Sequence, residues 1–403
     1  MTVEVLDFGC RLNIAEGATI GRLLDGQPGD TTVINGCAVT GEAVRQTAQA
    51  ARRARRARPG ARIVVTGCAA QVDRDRFSAM AEVDLVLGNR EKLVAENYVR
   101  SGVHVGDIMV PVPHDTPVVS GRGQTRSFVE IQTGCDHRCT FCIIPYGRGD
   151  SASVPPSAVV AAIARAVEEG QHEVVLTGVD LTSYRPSLAG LVSLILREVP
   201  ALPRLRLSSL DPAEIDEALF DLIAREPRIM PHVHLSLQSG DPMILKRMKR
   251  RHTRAQAIAL VDRLKALRPA IAIGADLIAG FPTESDAMHC SNVSIVDACD
   301  IVFGHVFPYS PRARTPAARM PLVGAEVAKS RARELREVSA KRRATWLSGL
   351  VGSTQQVLVE RSERRGHAEN FANVALTTRQ DAGSIVAVRI VATDGDILTG
   401  VPV

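Results

Sequence analysis

The sequence predicts an α/β protein in three parts: a parallel sheet with helices on its faces, a partial (βα)6 barrel, and a small all-β domain. β-branched runs alternate with helical stretches in the first two parts, and strands separated by helices pair in parallel. Short strands between glycine and charged turns predict the third part. We expect these parts to span residues 1–110, 128–350 and 351–403, with a Pro, Gly and Ser linker at 111–127.

Four short apolar runs predict the strands of the first sheet, and helical stretches such as EAVRQTAQAARRARRA lie between them. The runs are VEVLDFG, TTVING, RIVVTG and VDLVLG. In a parallel sheet of this kind the carboxyl ends of all strands lie at one edge. Residues that directly follow the strands are therefore expected to meet there.

Six runs in the middle part predict the barrel strands, with helical stretches such as SAVVAAIARAVEEG and RAQAIALVDRLKAL between them. The runs are SFVEIQTG, HEVVLTG, RLRLSSL, HVHLSLQSG, AIGADLIAGF and IVFGHVFPYS. Six consecutive β–α units are typical of an open barrel, whose active site lies at the carboxyl ends of the strands.

The last part contains four short runs, QQVLVE, ENFANVAL, SIVAVRIVA and ILTGVPV, with glycine, aspartate and charged residues between them. No helical period is visible in this stretch. Short strands at this spacing are typical of a small β-barrel or sandwich.

Composition excludes several classes of protein. Hydrophobic residues make up 45% and charged residues 23% of the 403 residues, as in ordinary globular proteins, and no apolar run is long enough to span a membrane. The amino terminus, MTVEVLDFGC, resembles no signal peptide, so we expect a cytoplasmic location. The net charge of +5 is a weak bias toward polyanions, and 3% aromatic residues argue against an extensive base-stacking surface.

The strongest motif is a CxxxCxxC loop directly after the strand SFVEIQTG, formed by Cys135, Cys139 and Cys142 and named here the loop trio. Three thiolates this close can bind three corners of a cubane iron–sulfur cluster and leave the fourth iron open to a substrate. A structural zinc site is the alternative. Zinc normally takes four protein ligands, and His137 would complete the set only from a strained position inside the loop.

A second set of cysteines is dispersed in sequence but alike in context. Cys10, Cys37 and Cys68, named here the strand-end trio, each follow a glycine at the end of a predicted strand. The three thiols are therefore expected to converge at one sheet edge and hold a second metal cluster. Core packing is the alternative for any one of them. We interpret the remaining cysteines, Cys290 and Cys299, as core residues.

These segments resemble a known family. The loop trio with Phe141 resembles the radical S-adenosylmethionine superfamily, and FGCRLNIAE, INGCAVT, VTGCAAQ and GCDHRCTFCIIPYGRG together resemble its methylthiotransferases, most closely the MtaB-like branch. The match continues through LTGVDLTSY, HLSLQSGDPMILKRMKR, GADLIAGFP and FPYSPRARTPAA. In the tail, RRGHAENFANV resembles a TRAM domain, a small RNA-binding β-barrel.

The resemblance implies a tRNA methylthiotransferase with two [4Fe-4S] clusters and S-adenosylmethionine. The cluster of the loop trio would bind S-adenosylmethionine and yield a 5′-deoxyadenosyl radical on reduction. The cluster of the strand-end trio would carry the sulfur. The expected substrate is N6-threonylcarbamoyladenosine next to the tRNA anticodon, methylthiolated at carbon 2. No side-chain base can remove the hydrogen of that carbon at pH 7, so a cofactor must carry the chemistry.

The resemblance implies no catalytic residue beyond the cluster ligands. It places further residues in the cofactor pocket, although strand-end position alone also fits ordinary loop or cap residues. The candidates are Phe141, Gly178, Asp180, Ser208, Gln238, Arg250 and Asp276.

The expected partners are the tRNA anticodon stem-loop, a reductant for the cluster and a sulfur donor. Arg361, Arg364 and Arg365 in the TRAM-like tail are expected to contact RNA phosphates, whereas the arginines of 52–58 are interpreted as a solvated helix face.

Two alternatives stay open on the sequence. A related methylthiotransferase would act on isopentenyl-adenosine tRNA or on an aspartate of a ribosomal protein. From a different class, a non-catalytic RNA-binding protein would hold structural zinc at the same cysteines.

Overall fold

The computed structural model describes residues 2–27, 29–120 and 124–403. Residues 121–123 of the predicted linker therefore lie outside the described part of the chain. The described residues form an α/β structure followed by an all-β unit, which confirms the α/β class that the alternating pattern predicts.

The amino-terminal sheet is parallel, with its strands in chain order. Its strands are β1 (Val3–Asp7), β2 (Thr31–Gly36), β3 (Arg62–Thr66), β4 (Leu85–Leu87) and β5 (Gly102–His104). Its helices are α1 (Arg11–Leu23), α2 (Gly41–Ala57), α3 (Gly67–Val72) and α4 (Arg74–Ser78). The sequence analysis missed β5, because its residues are mostly exposed and form no apolar run, unlike the equally short but buried β4.

Helix α2 shows how local sequence sets an element. Thr40 caps its start, because the Thr40 side chain accepts a hydrogen bond from the backbone N–H of Ala43 at 3.1 Å. Ala48 and Ala51 are buried on the side that faces the sheet. Of the arginines of 52–58, Arg52, Arg53 and Arg56 are exposed, which agrees with the interpretation of a solvated face.

The middle part forms a curved wall of two sheets, with strand order β10-β9-β7-β6 in one and β11-β12-β13-β14 in the other. Its strands are β6 (Val119–Ser120), β7 (Ser127–Thr133), β8 (Ala152–Ser153), β9 (Glu173–Gly178), β10 (Arg204–Leu207), β11 (Ser209–Leu210), β12 (His232–Gln238), β13 (Ala272–Ala279) and β14 (Ile301–Pro308). Its helices are α5 (Ile144–Arg148), α6 (Pro156–Glu168), α7 (Leu188–Glu198), α8 (Glu217–Arg225), α9 (Pro242–Met248), α10 (Arg254–Leu267), α11 (Asp286–Ala298) and α12 (Ala325–Ser348).

The run RLRLSSL, predicted as a single strand, is divided between the two sheets. β10 pairs with β9, β11 pairs with β12, and Ser208 lies between them. The six predicted runs still follow one another around the wall in chain order. Their carboxyl ends therefore lie at one rim, as the β–α pattern predicts.

The carboxyl-terminal strands close into a small barrel in the order β15-β16-β17-β19-β18. They are β15 (Thr354–Val359), β16 (Arg365–Ala368), β17 (Asn373–Leu376), β18 (Ile385–Thr393) and β19 (Leu398–Pro402). The run ENFANVAL, predicted as one strand, is strand only from Asn373. Its first half is a turn, in which Phe371 adopts a positive φ of 72°.

Phe371 anchors this small barrel to the rest of the molecule. Its ring stacks on His232 at a centroid distance of 5.0 Å, and the guanidinium groups of Arg206 and Arg11 lie 5.0 and 5.4 Å from the ring centroid. Arg206 also donates to Glu173 at 2.8 Å. Because Glu173 and His232 begin β9 and β12, the contact closes the end of the wall opposite the rim.

The two cysteines interpreted as core residues differ. Cys299 is fully buried behind α11, as expected. Cys290 is exposed, so its assignment to the core was wrong: it lies on the solvent side of α11, whose weakly amphipathic sequence does not reveal which face is buried.

Within the described ranges, every helix is too short or too polar to serve as a membrane span.

Candidate metal centre

The loop trio is held in a tight turn at the end of β7. Gly134 has a φ of +69°, and a Cβ atom there would lie 1.9 Å from the carbonyl oxygen of Asp150, so only glycine fits. The N–H of Cys135 donates to the carbonyl of Gly149 at 3.0 Å, and the N–H of Cys142 donates to that of Cys139 at 3.1 Å. The turn therefore brings its thiols together through backbone contacts, and all three cysteines are half-buried.

The strand-end trio depends on close approach between neighbouring strand ends. Gly9 has a φ of +103°, and a Cβ atom there would lie 2.6 Å from the Cβ of Cys37. Gly67 has a φ of +87°, and its Cβ would lie 2.5 Å from the carbonyl oxygen of Gly36. The glycines before these cysteines thus allow the sheet edge to close, which is the convergence that the repeated Gly-Cys pattern predicts.

One cavity of about 400 Å³ brings the two trios together. All members of the strand-end trio line it, and so does Cys142 of the loop trio. The cavity lies between the edge of the first sheet and the rim of the barrel wall. A cofactor or substrate in this space would therefore contact both cysteine sets at once.

Burial keeps several of these thiols protonated in the absence of metal. It raises the pKa of Cys37, Cys135 and Cys142 to about 12 each. The pKa of Cys10 is also raised, because protein atoms crowd its sulfur although the residue retains open surface. A bound metal favours the thiolate and offsets this cost, and soft thiolates in sets of three fit iron–sulfur clusters.

A buried ion network joins the two trios. Lys92 Nζ donates to Glu16 Oε2 at 2.6 Å, and Arg148 donates to both carboxylate oxygens of Glu16 at 2.9 and 3.0 Å. Burial disfavours the ionised Glu16, but Arg148 and Lys92 outweigh burial and lower its pKa to about 2. Glu16 lies on α1, the helix that follows Cys10, and Arg148 lies on α5, the helix that follows Cys142. The network therefore connects the helix next to the strand-end trio with the helix next to the loop trio.

Asn89 provides a second link between the two supports. Its Nδ2 lies 3.4 Å from Cys68 Sγ and also donates to the carbonyl of Gly147. Its Oδ1 accepts from Lys92 Nζ at 2.8 Å. The sequence analysis missed Glu16, Lys92 and Asn89. Glu16 and Arg148 had a detectable signal, since they lie inside the motifs FGCRLNIAE and GCDHRCTFCIIPYGRG, whereas Lys92 and Asn89 had none.

Asp180 and Phe141 lie beside the loop trio. Cys135 Sγ is 3.9 Å from Asp180 Oδ2, and the side chain of Gln132 accepts from the backbone N–H of Asp180 at 2.8 Å. The Phe141 ring lines the cavity and packs edge-on against Phe281 at 6.4 Å.

Arg250 also approaches the loop trio. Its Nη1 lies 3.6 Å from Cys139 Sγ, while its Nη2 donates to Asp211 at 2.7 Å and to the carbonyl of Ser236 at 2.7 Å. A fixed cation is thus aimed at a sulfur from which a thiolate would form.

The remaining pocket candidates divide into two groups. Gly178, Gln238 and Asp276 line the cavity. Ser208 does not line it; its neighbour Ser209 does. Ser208 occupies the break between β10 and β11, where its backbone N–H donates to the carbonyl of Leu176.

His137 lies among carboxylates. Its Nε2 is 3.0 Å from Glu214 and 3.7 Å from Asp180, and the hydrogen bond to Glu214 raises its pKa. Ligand atoms of Cys135, His137 and Asp180 lie within 4.8 Å of one another. Because carboxylates already engage the His137 ring, the geometry gives little support to His137 as a ligand that completes a zinc site with the loop trio.

The tail arginines occupy the surface of the carboxyl-terminal barrel. Arg361, Arg364 and Arg365 are exposed. None of their guanidinium groups has a hydrogen-bonded or ionic partner among the residues that the structure describes. They lie at and before β16, where they are available to an external anion.

Two family models match the chain. The Radical SAM superfamily matches residues 129–289, which contain the loop trio. The Uncharacterized protein family UPF0004 matches residues 2–88, which contain the strand-end trio. The two cysteine sets thus lie in separately recognisable sequence modules.

Curated relatives match nearly the whole chain. It is 44% identical to the threonylcarbamoyladenosine tRNA methylthiotransferase MtaB of Rickettsia prowazekii, over 96% of this chain and 94% of that protein. It is 31% identical to the tRNA-2-methylthio-N(6)-dimethylallyladenosine synthase of Erythrobacter litoralis, over 90% of this chain and 87% of that protein.

Among solved structures, the chain resembles the radical S-adenosylmethionine methyltransferase TsrM from Kitasatospora setae, determined with cobalamin and a [4Fe-4S] cluster bound. The TM-score is 0.57 at 17% identity, and the match covers 74% of this chain and 68% of that one. At this identity the likeness concerns the fold.

Proposed function

The chain belongs to the radical S-adenosylmethionine methylthiotransferases of the MtaB-like branch, and from that premise we propose that it methylthiolates carbon 2 of N6-threonylcarbamoyladenosine next to the tRNA anticodon. It is an enzyme, its substrate is a tRNA, and its family works with S-adenosylmethionine and [4Fe-4S] clusters. The observation that carries the proposal is the single cavity shared by the strand-end trio and Cys142.

We assign the cluster ligands to the two trios. The loop trio would hold the cluster that binds S-adenosylmethionine, and the strand-end trio would hold the auxiliary cluster. When bound, these groups supply the radical and sulfur chemistry that no side chain offers at carbon 2. The donor sets suit this assignment, because each trio offers three thiols and leaves a fourth coordination position open.

The protein's own groups prepare the site around these ligands. Arg250, at 3.6 Å from Cys139 Sγ, would balance negative charge on the loop trio. Arg148, anchored by Glu16, would do the same for the strand-end trio. The apolar cavity lining, which includes Phe141, would exclude water from the reaction.

We propose the remaining pocket candidates as cofactor contacts. Gly178, Gln238 and Asp276 are supported by their place in the cavity lining, and Asp180 by its approach to Cys135. Ser208 stays a prediction without a supporting contact.

We further propose that the four segments 1–110, 111–127, 128–350 and 351–403 act as auxiliary-cluster domain, linker, radical barrel and TRAM-like RNA-binding barrel. The closed strand order of the last segment and its exposed arginines support an RNA-binding function. Arg361, Arg364 and Arg365 would contact phosphates of the anticodon stem-loop and position it without reading sequence. A sulfur donor and a reductant complete the reaction, which we place in the cytoplasm with its tRNA.

Analysis of modified nucleosides in tRNA tests the proposed substrate. A strain that lacks this gene should lose the methylthio form of threonylcarbamoyladenosine, and the wild-type gene should restore it. Complementation with Cys37→Ala should fail to restore it. An unchanged level in the deletion strain would exclude this substrate.

The similarity to a dimethylallyladenosine synthase supports a second candidate substrate, isopentenyl-adenosine. The same nucleoside analysis separates the two, since loss of the methylthio form of isopentenyl-adenosine alone would favour this candidate. Metal analysis after anaerobic purification tests the zinc alternative: we expect about eight iron and eight sulfide per chain if both trios hold four-iron clusters. Zinc without labile sulfide would contradict the assignment.

A further inference from the structure

The inner face of strand β14 continues from the cavity into the barrel. Gly304 faces outward, because a Cβ atom there would lie 2.4 Å from Ser339 Oγ on α12. Side chains alternate along a strand, so Phe303, His305 and Phe307 face inward. Phe307 lines the cavity and is 41% exposed. His305 therefore lies one step deeper, roughly 7 Å along the strand from Phe307.

His305 belongs to a cluster of three polar side chains on neighbouring strands, with His234 on β12 and Asp276 on β13. Asp276 Oδ1 is 3.2 Å from His234 Nε2 and 3.6 Å from His305 Nδ1, and the two rings lie 4.7 Å apart. Burial favours a neutral Asp276, but the neighbouring rings of His234 and His305 outweigh burial and hold the pKa of Asp276 well below the usual range. Because Asp276 also lines the cavity, the cluster borders the site directly.

The backbone makes room for this arrangement. A Cβ atom on Gly274 would lie 2.6 Å from His234 Nδ1, so glycine at this position lets the His234 ring lie flat against β13. The ring then directs its Nε2 to Asp276. His234 thus orients the Asp276 carboxylate, and the carboxylate in turn faces Nδ1 of His305.

His305 is the member of the cluster whose ring is open to a ligand. Its side chain is 60% exposed, compared with 13% for His234. With Nδ1 directed to Asp276, its Nε2 has no partner among the residues that the structure describes. Two arginines near the cavity already have partners: Arg148 binds Glu16, and Arg250 binds Asp211.

We infer that His305, positioned by Asp276, binds the carboxylate of the threonylcarbamoyl group on the substrate base. This inference rests on the proposed function and identifies the residue that selects an anionic N6 substituent. Carbon 2 and the carbon that bears N6 flank N1 of the adenine ring, so the N6 arm leaves the ring two atoms from the reacting carbon. An imidazolium, which carries a proton on each ring nitrogen, can give Nδ1–H to Asp276 and present Nε2–H outward as a donor to a second anion. An isopentenyl arm offers no group for such a donor.

The test compares two RNA substrates on the reconstituted holoenzyme. One is an anticodon stem-loop with N6-threonylcarbamoyladenosine, and the other carries the methyl ester of the same threonine carboxylate. The wild-type enzyme should show a KM about 10-fold lower for the acid than for the ester, as a charge-assisted hydrogen bond would give.

His305→Ala should raise the KM for the acid about 10-fold and leave the KM for the ester unchanged, so that the preference disappears. His305→Gln, which retains a neutral donor, should restore part of the preference. His104→Ala is the matched control, since His104 lies on the edge strand β5 and its exposed ring hydrogen-bonds to the carbonyl of Ser101, far from the cluster.

Three results would overturn the inference. The first is an acid preference that survives in His305→Ala. The second is an equal loss of activity on both RNAs together with loss of S-adenosylmethionine cleavage in the absence of RNA, which would place His305 in the cofactor pocket. The third is loss of a bound divalent metal from the variant, which would make the cluster a metal site. Failure of the wild-type enzyme to act on either RNA would instead refute the proposed function.

Discussion

The loop trio and the strand-end trio present similar sets of thiols by different means. One turn of chain after β7 holds the loop trio, with Gly134 and backbone hydrogen bonds fixing its shape, and Thr140 in that turn also donates to the carbonyl of Met248 at 3.1 Å. Three separate strand ends hold the strand-end trio, and their approach depends on glycines that contact the next strand. The loop trio is therefore positioned mainly by one segment of chain, and the strand-end trio by the packing of neighbouring strands. The loop trio should tolerate changes in the amino-terminal sheet that the strand-end trio does not.

The largest expected effect comes from removal of one loop-trio ligand. Cys139→Ala should abolish S-adenosylmethionine cleavage, measured as 5′-deoxyadenosine, because two thiols cannot hold the catalytic cluster. It should retain the auxiliary cluster, with about four of eight iron atoms per chain.

Cys290→Ala is the matched control, since Cys290 is an exposed cysteine outside both trios. It should leave cleavage and iron content unchanged. Cleavage that persists in Cys139→Ala would contradict the assignment of the loop trio.

The next effect tests the network that connects the trios. Glu16→Gln leaves the buried cations Lys92 and Arg148 without a full counter-charge, and removal of one partner from a buried ion network typically costs about 3–5 kcal/mol. We expect a drop of that size in the free energy of unfolding, measured by urea titration under anaerobic conditions.

Glu42→Gln removes an exposed carboxylate that pairs with Arg45 on the surface of α2, and should change unfolding little. Equal effects of the two substitutions would mean that the network contributes no more than a surface ion pair.

A smaller effect tests the strand-end trio alone. Gly67→Ala places a Cβ 2.5 Å from the carbonyl oxygen of Gly36 at a φ of +87°, so the strand ends must separate. We expect a cost of about 1–3 kcal/mol from the backbone conformation and a decrease in iron per chain, with S-adenosylmethionine cleavage retained.

Gly102→Ala has a similar φ of +86° but nothing within 4 Å of the added Cβ, so it carries the backbone cost alone. Iron content should therefore fall in Gly67→Ala only. A parallel loss in both variants would indicate a general loss of stability instead of local opening.

The smallest effect concerns RNA binding and should leave both trios intact. Arg364→Ala removes one phosphate contact, which should lower the slope of log K against log salt by about 0.7 to 0.9. Filter binding of the anticodon stem-loop at several salt concentrations measures it.

Arg53→Ala, on the exposed face of α2, is the matched control and should not change the slope. A slope that is unchanged in Arg364→Ala would remove Arg364 from the RNA interface.

Much of the site could be predicted from the sequence because its ligands carry strong local signals. Two of these signals can be recognised in the sequence alone: the spacing of the loop trio and the glycine before each strand-end cysteine. Other features lacked such signals: the exposed Cys290 lies on a helix of weak amphipathicity, and the turn at Phe371 lies inside a run that reads as strand. Pattern alone does not distinguish these cases, because burial depends on what packs against the element.

The sequence by itself predicted which thiols bind metal and determined at which strand ends they lie. Only the tertiary structure decided that the strand-end trio and Cys142 face one cavity, that Arg148 reaches Glu16, and that His305 lies beside Asp276. The physical reason is distance along the chain. Hydrogen bonds and steric limits between near neighbours follow from local spacing, whereas contacts between remote segments exist only after the sheets have packed and buried their apolar faces.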